Sequence, residues 1–149
     1  MKPPVERIRV SQHSRDALVK LKRRTGIEHW NVLCRWAFLD SLANPNKPIP
    51  PAHGPESSIE MSWEVFAGEL ADPILAAFTV RAAKDGVQPV KAEMATYFRS
   101  HLERGIHQVA QNRQPCLGAM VVLHEIGGYS SAAKQTVTNF LKDSRDQHI

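Results

Sequence analysis

The chain has no run of about eighteen apolar residues, so nothing in it reads as a bilayer-spanning helix. Its opening residues, Met1-Lys2-Pro3-Pro4-Val5-Glu6, lack the apolar core of a secretory signal. Cysteine is scarce: Cys34 and Cys116 make neither a metal-ligand spacing nor a disulfide framework, and the expectation is a reducing cytoplasm. The seven histidines (His13, His29, His53, His101, His107, His124 and His148) show no zinc-site spacing to each other or to cysteine. No glycine-rich phosphate loop precedes a Lys-Ser/Thr pair, and no Gly-x-Ser-x-Gly elbow occurs. These absences remove the commonest enzyme signatures, and no cofactor, metal site or catalytic residue is expected.

What the chain does have is a lopsided distribution of positive charge. Nine of its 19 Lys and Arg residues fall within the first 35 positions, against only Glu6, Asp16 and Glu28, a local balance of +6. The remaining residues sum to −2, so the net +4 describes a basic end joined to a nearly neutral body. Such asymmetry suggests an anionic partner, with nucleic acid or a membrane surface the first candidates. At 149 residues and 42% apolar content, the chain can bury a core of its own and does not read as disordered.

The basic residues sit on a frame that reads strand, helix, turn, helix. Residues 5–10 alternate, with Ile8 and Val10 on one face and Arg7 and Arg9 on the other, as a half-exposed strand requires. No comparable early strand follows, so the expected pairing partner is the same strand of a second subunit. A first helix is expected from Ser14, as its cap, to Thr25, with Gly26 closing it. Ala17, Leu18 and Leu21 then gather on one face, and Lys20, Arg23 and Arg24 on the opposite one. A second helix over 28–42 carries Trp30, Val32, Leu33, Cys34, Trp36, Ala37, Phe38, Leu39 and Leu42, apolar residues in nearly every direction. A helix apolar all round is buried on all sides, so part of this surface is expected to meet another copy, with Trp30, Leu33, Trp36, Ala37 and Phe38 as the oligomer core.

Residues 44–58 hold five of the ten prolines and read as an extended linker or a loop hugging the surface. Ile59 to Leu70 is ambiguous. Asp72-Pro73 suggests a helix start, Asp85-Gly86 its stop, and a further helix runs from about Pro89 to Gln111 with Met94, Phe98, Leu102 and Ile106 as its core stripe. Beyond Pro115, the run Leu117 to Leu123 fits helix and strand alike, and a final helix is expected from Ser130 to Lys142. The fold class is therefore mainly α, with at most one short N-terminal strand.

One family shares these features in order and spacing. The stretch Leu21-Lys22-Arg23-Arg24-Thr25-Gly26-Ile27 ahead of Asn31-Val32-Leu33-Cys34-Arg35, with Pro48-Ile49-Pro50, Gly68-Glu69, Lys84-Asp85-Gly86 and Phe98 to Ile106, resembles the DndE family of DNA sulfur modification proteins. The similarity covers roughly residues 8–110. The chain departs from it in having Glu28-His29 where the family often has Thr-Pro, and in residues 116–149, an extension of unknown role beyond a DNA-binding domain over 1–115. The resemblance implies a compact ribbon-helix-helix-like subunit, a homotetramer that binds double-stranded DNA, with nicked duplex preferred. It also implies sulfurtransferase and ATPase subunits as partners in a complex that puts sulfur into the DNA backbone, this subunit supplying DNA contact rather than chemistry.

The DNA-contacting residues expected on this basis are Arg7, Arg9, Lys20, Lys22, Arg23, Arg24 and Arg35. In a ribbon-helix-helix dimer Arg7 and Arg9 could read guanine edges, but phosphate contact is the favoured role. Cys34 reads as a small core residue rather than a sulfur acceptor. Two alternatives stand beside this reading: a nicking endonuclease using Glu60, Glu64, Glu69 and Asp72 to hold Mg²⁺, and a ribbon-helix-helix transcriptional repressor.

Overall fold

The computed structural model describes residues 2–111, so Cys116, the 117–123 run and the expected helix over 130–142 lie outside the described residues. The elements in order are β1 (Arg7–Ser11), α1 (Gln12–Thr25), α2 (Trp30–Ala43), β2 (Glu56–Ser62), α3 (Trp63–Ala67), a 3-10 turn (Gly68–Leu70), α4 (Ala71–Lys84) and α5 (Lys91–Gln111). The described residues are mainly helical, as expected, but they carry two strands rather than one.

The second strand corrects the expected pairing. Glu56–Ser62 alternates as strictly as β1, with Ser57, Ile59 and Met61 buried and Glu56, Ser58 and Glu60 exposed. It runs antiparallel to β1 in the register Arg7 with Ser62, Ile8 with Met61 and Arg9 with Glu60, and the register shifts before Ser11 meets Glu56. One edge of β1 is thus filled from within the chain. The alternation was visible in the sequence, but serine at position 57 blurred it, and the aromatic residues just beyond masked its end.

The helix boundaries follow local chemistry. Ser11, not Ser14, caps α1: its Oγ accepts from the Ser14 backbone N–H at 3.1 Å, while Ser14 is itself buried. Gly26 closes the helix at φ 72°, its N–H donating to Lys22 O at 3.0 Å, a left-handed position that favours glycine. Helix α2 starts at Trp30 rather than at residue 28, with no side-chain cap. The expected cap at Asp72 is also displaced, because the 3-10 turn leads directly into α4 and leaves Asp72 in the helix's first turn. There its carboxylate still suits the positive end of the helix dipole.

The core is aromatic. Phe98 of α5 lies with its ring centroid 4.8 Å from Phe38, 5.5 Å from Phe66, 5.8 Å from Trp63 and 5.9 Å from Phe78. Helix α5 packs most extensively on α2, and Gly105 permits the close approach. This explains the all-round apolar character of α2 from inside one chain. Leu33, Ala37 and Phe38 are fully or almost fully buried and Trp36 nearly so, while Trp30 alone of the expected oligomer-core set is only half-buried. Of the expected linker over 44–58, residues 56–58 belong instead to β2, and the start of the stretch is held to the helices. Arg81 donates to the carbonyls of Leu42, Asn44 and Asn46 at 2.7–3.0 Å, and Arg104 to those of Ser41 and Asn46 at 2.8 and 2.6 Å.

Under this clamp lies a buried histidine. His101 Nδ1 is 2.9 Å from Ser41 Oγ, and burial, with Arg104 and Arg81 close by, lowers its pKa to about 4. A histidine held neutral in the fold but titrating near 6.5 when unfolded contributes stability that is present above about pH 6.5 and is lost as pH falls toward 4. The lowered carboxyl of Asp85, hydrogen-bonded by Tyr97 and Arg81, acts in the same direction at lower pH. We therefore expect urea midpoints to drop steadily between pH 6.5 and 4, with a slope of up to ~1.4 kcal/mol per pH unit from one proton. In a His101→Phe variant that remains folded, the slope in this window should flatten.

Candidate nucleic-acid interface

The outward side of α1 follows from its wheel. Leu18 and Leu21 face the core, so the positions opposite them, including Lys20 and Arg23, stand in solvent. Neither Lys20 nor Arg23 has a hydrogen-bond or ion-pair partner among the described residues, and the nearby Asp16 accepts from Gln12 Nε2 at 3.1 Å instead. Two unneutralised cations at i and i+3 on a helix face are what a phosphate backbone can use.

The other five expected contacts have occupations within the fold. Arg7 is ion-paired with Glu60, and Arg9 bridges Glu56 at 2.7 Å and Glu60 at 2.8 Å across the ribbon. These bonds hold the Glu60 carboxyl below the usual range and raise the Arg9 guanidinium further. Arg24 reaches across to α5, where Nη2 donates to Val109 O at 2.6 Å and Nη1 to Ala110 O at 3.1 Å, satisfying carbonyls near that helix end. Lys22 Nζ lies 4.7 Å from the centroid of the Trp30 ring, a cation–π contact. Arg35 Nε donates to Phe66 O at 2.8 Å, and its guanidinium covers Gly68, where φ is 56°. Sequence could not show these pairings, because the ribbon carboxylates lie about fifty residues further along the chain and the α5 carbonyls about eighty-five.

The converse holds for Arg15, counted in the basic segment but not among the expected contacts. It is half-buried on the flank of α1 nearest Lys22 and lines a cleft with Trp30. Its heptad-like spacing from Lys22 was the available signal. Because Arg7 and Arg9 already have carboxylate partners, changing both to alanine is expected to alter duplex affinity by less than about threefold, whereas losing free cations weakens binding strongly. Fluorescence anisotropy with a labelled duplex checks this.

Cys34 is fully buried, and burial, with Glu103 adding to it, pushes its thiol up to about 12, so no reactive thiolate forms there. Of the four carboxylates weighed for Mg²⁺, Glu60 is committed to the two ribbon arginines, Glu64 sits at the start of α3 and Asp72 in the first turn of α4. Among the described residues no group of three or more His, Cys, Asp or Glu side chains converges as a metal site. A polar cluster that sequence did not show joins the start of α1 to α5. Glu103 accepts from Ser11 N at 3.1 Å, from Ser11 Oγ at 2.9 Å and from Ser14 Oγ, and the His13 and His107 rings stack 4.4 Å apart. Ser14 is fully buried and the cluster fixes α1 on α5, while Ser11, His13, Glu103 and His107 line a cavity of about 670 Å³.

The family model for DNA sulphur modification protein DndE matches residues 7–115. Among solved structures, the chain is similar to the crystal structure of DndE from Escherichia coli B7A, involved in DNA phosphorothioation modification. Identity is 22%, the match covers 73% of this chain and 98% of that one, and the TM-score is 0.59, a likeness of fold. No curated protein matches the chain.

Proposed function

The chain belongs to the DndE family of DNA sulphur modification proteins, and from that premise we propose that it serves as a DNA-binding, non-catalytic subunit of a phosphorothioation complex. The observation that carries this reading is the outer face of α1, where Lys20 and Arg23 are exposed and have no carboxylate partner among the described residues. Folded proteins pair many of their surface cations, as this one does on its ribbon. An unpaired set on a rigid helix retains its full charge for an external polyanion. This reading assigns the chemistry of sulfur transfer to partner subunits, a sulfurtransferase and an ATPase, and the burial of Cys34 favours that division among the described residues.

Assembly as a homotetramer would present several copies of this face and multiply a contact that two cations alone make weakly. Leu33, Ala37 and Phe38 are already buried within one chain, which supports placing the contact between copies elsewhere. The ribbon's ion pairs count against a repressor that reads bases through Arg7 and Arg9, because each arginine would first have to leave a carboxylate. The test is electrophoretic titration with intact, nicked and single-stranded forms of one DNA. Duplex binding that is tolerant of sequence and weakens with salt is expected. Absence of binding at low salt would contradict the reading, and release of nicked circles from supercoiled plasmid with Mg²⁺ would replace it with the nuclease alternative.

A further inference from the structure

Beside the free cations of α1 lies a cleft of about 410 Å³, between the start of α2, the outer side of β2 and α3. Trp30 and Val65 contribute apolar surface to it, Ile59 and Met61 being buried on the inner face of β2, with Arg15 at one side and Glu28 and Glu60 among its lining. Around α1, Arg15 and Lys22 stand on the flank that faces Trp30, Arg23 follows, and Lys20 lies furthest round. The cations thus form an arc that leads from open helix surface to the cleft. A phosphate is attracted along the arc and repelled inside by Glu28, since Glu60 is already paired with Arg7 and Arg9, while a neutral planar heterocycle meets the Trp30 indole and the Val65 side chain. Lys22 Nζ lies over one face of the Trp30 ring, so a base stacking there takes the place of that contact and frees Lys22 for a phosphate.

We propose that this cleft receives one unpaired nucleobase of a bound DNA strand, stacked on Trp30, while Arg15, Lys22 and Arg23 hold the adjoining phosphates. The inference rests on the reading that α1 binds DNA and extends it: the subunit grips a place where a base has left the stack, such as a frayed end or a gap. Aromatic stacking tolerates any base, so no sequence preference follows from it. An interior base of an intact duplex remains in its own stack and does not reach the cleft.

The chain offers a direct reporter. Of its three tryptophans, Trp36 and Trp63 are each 5% exposed, so accessible indole fluorescence comes from Trp30. Titrating the full chain with a duplex carrying a short single-stranded overhang should quench that fluorescence, and the blunt duplex of equal length should quench it less. Trp30→Leu should weaken overhang binding by roughly tenfold, the scale of one lost base–aromatic stack, and leave blunt-duplex binding near wild type. Trp30→Phe, which keeps a ring, should restore most of the difference. Thermal melts and light scattering of both variants accompany the titration. If wild type binds both DNAs and the Trp30→Leu variant, folded, loses nothing on the overhang, the base site is wrong although the DNA-binding reading stands. If Trp30→Leu changes the size of the assembly, Trp30 belongs to a contact between copies and the base site is likewise overturned. If wild type binds neither DNA, the underlying reading fails first.

Discussion

Gly105→Ala is expected to prevent stable folding. A Cβ built at Gly105 would stand 1.8 Å from the carbonyl oxygen and 2.4 Å from the carbonyl carbon of Ala37. Both atoms belong to the backbone of α2, so no side chain can turn aside, and the two helices would have to separate. Helix propensity works in the opposite direction, favouring alanine by about 1 kcal/mol. Overpacking of an ordinary core side chain already costs about 1–3 kcal/mol, and prising apart the most extensive helix contact in the fold should exceed that range. Against a total stability of roughly 5–15 kcal/mol, a melting temperature lower by more than about 10 °C, or loss of the cooperative transition, is expected. Gly54, where an added Cβ would meet nothing within 4 Å, supplies the control: Gly54→Ala should melt like wild type. A Gly105→Ala protein with unchanged melting would refute the α2–α5 packing.

Phe98→Ala should have the second largest effect. Phe98 is completely buried and its ring contacts those of Phe38, Phe66, Phe78 and Trp63, which come from three other helices, α2, α3 and α4. Truncation removes apolar burial, opens a cavity and ends several tilted or edge-on ring contacts together. Phe→Ala substitutions in cores cost about 3–5 kcal/mol, and this position belongs near the upper end because neighbours from three separate helices cannot all collapse into the space. Phe98→Leu keeps much of the volume and should cost less than half as much. Chemical denaturation followed by circular dichroism separates the two variants, and equal midpoints for Phe98→Ala and wild type would contradict the core assignment.

How much of the fold was legible in the sequence varies with the range of the interaction. The stripe Phe98, Leu102 and Ile106 was readable because helical periodicity is local, and so was the close of α1 at Gly26, because a left-handed cap demands little beyond its own residue. The strand Glu56–Ser62 was readable in principle from its alternation, yet a two-stranded ribbon closed over more than forty residues is a non-local choice that periodicity cannot decide. Gly105 showed only as a glycine inside a helix, and its cause, the Ala37 carbonyl, lies on another element. At the candidate interface the charge asymmetry was plain, and it directed attention to α1. What sequence could not supply was which cations are spent inside the fold. Arg9, Arg24 and Arg35 look like Lys20 and Arg23 until their partners on β2, α5 and α3 are seen. Cys34 shows the same rule from the other side, since its burial in an apolar helix was local information and its raised thiol follows directly.

The central claim, that Lys20 and Arg23 on the outer face of α1 bind the DNA backbone, is tested most directly by the salt dependence of duplex binding in the Lys20→Glu/Arg23→Glu double variant. Arg24 is left unchanged because it holds the end of α5, so a loss of binding cannot be ascribed to a loosened fold. Each phosphate contact released contributes about 0.9 to the slope of log affinity against log salt. The expected result is a folded variant with unchanged melting temperature, affinity lower by on the order of tenfold or more at low salt, and a slope shallower by about two for each face engaged. A folded variant that binds duplex with wild-type affinity and wild-type slope would contradict it.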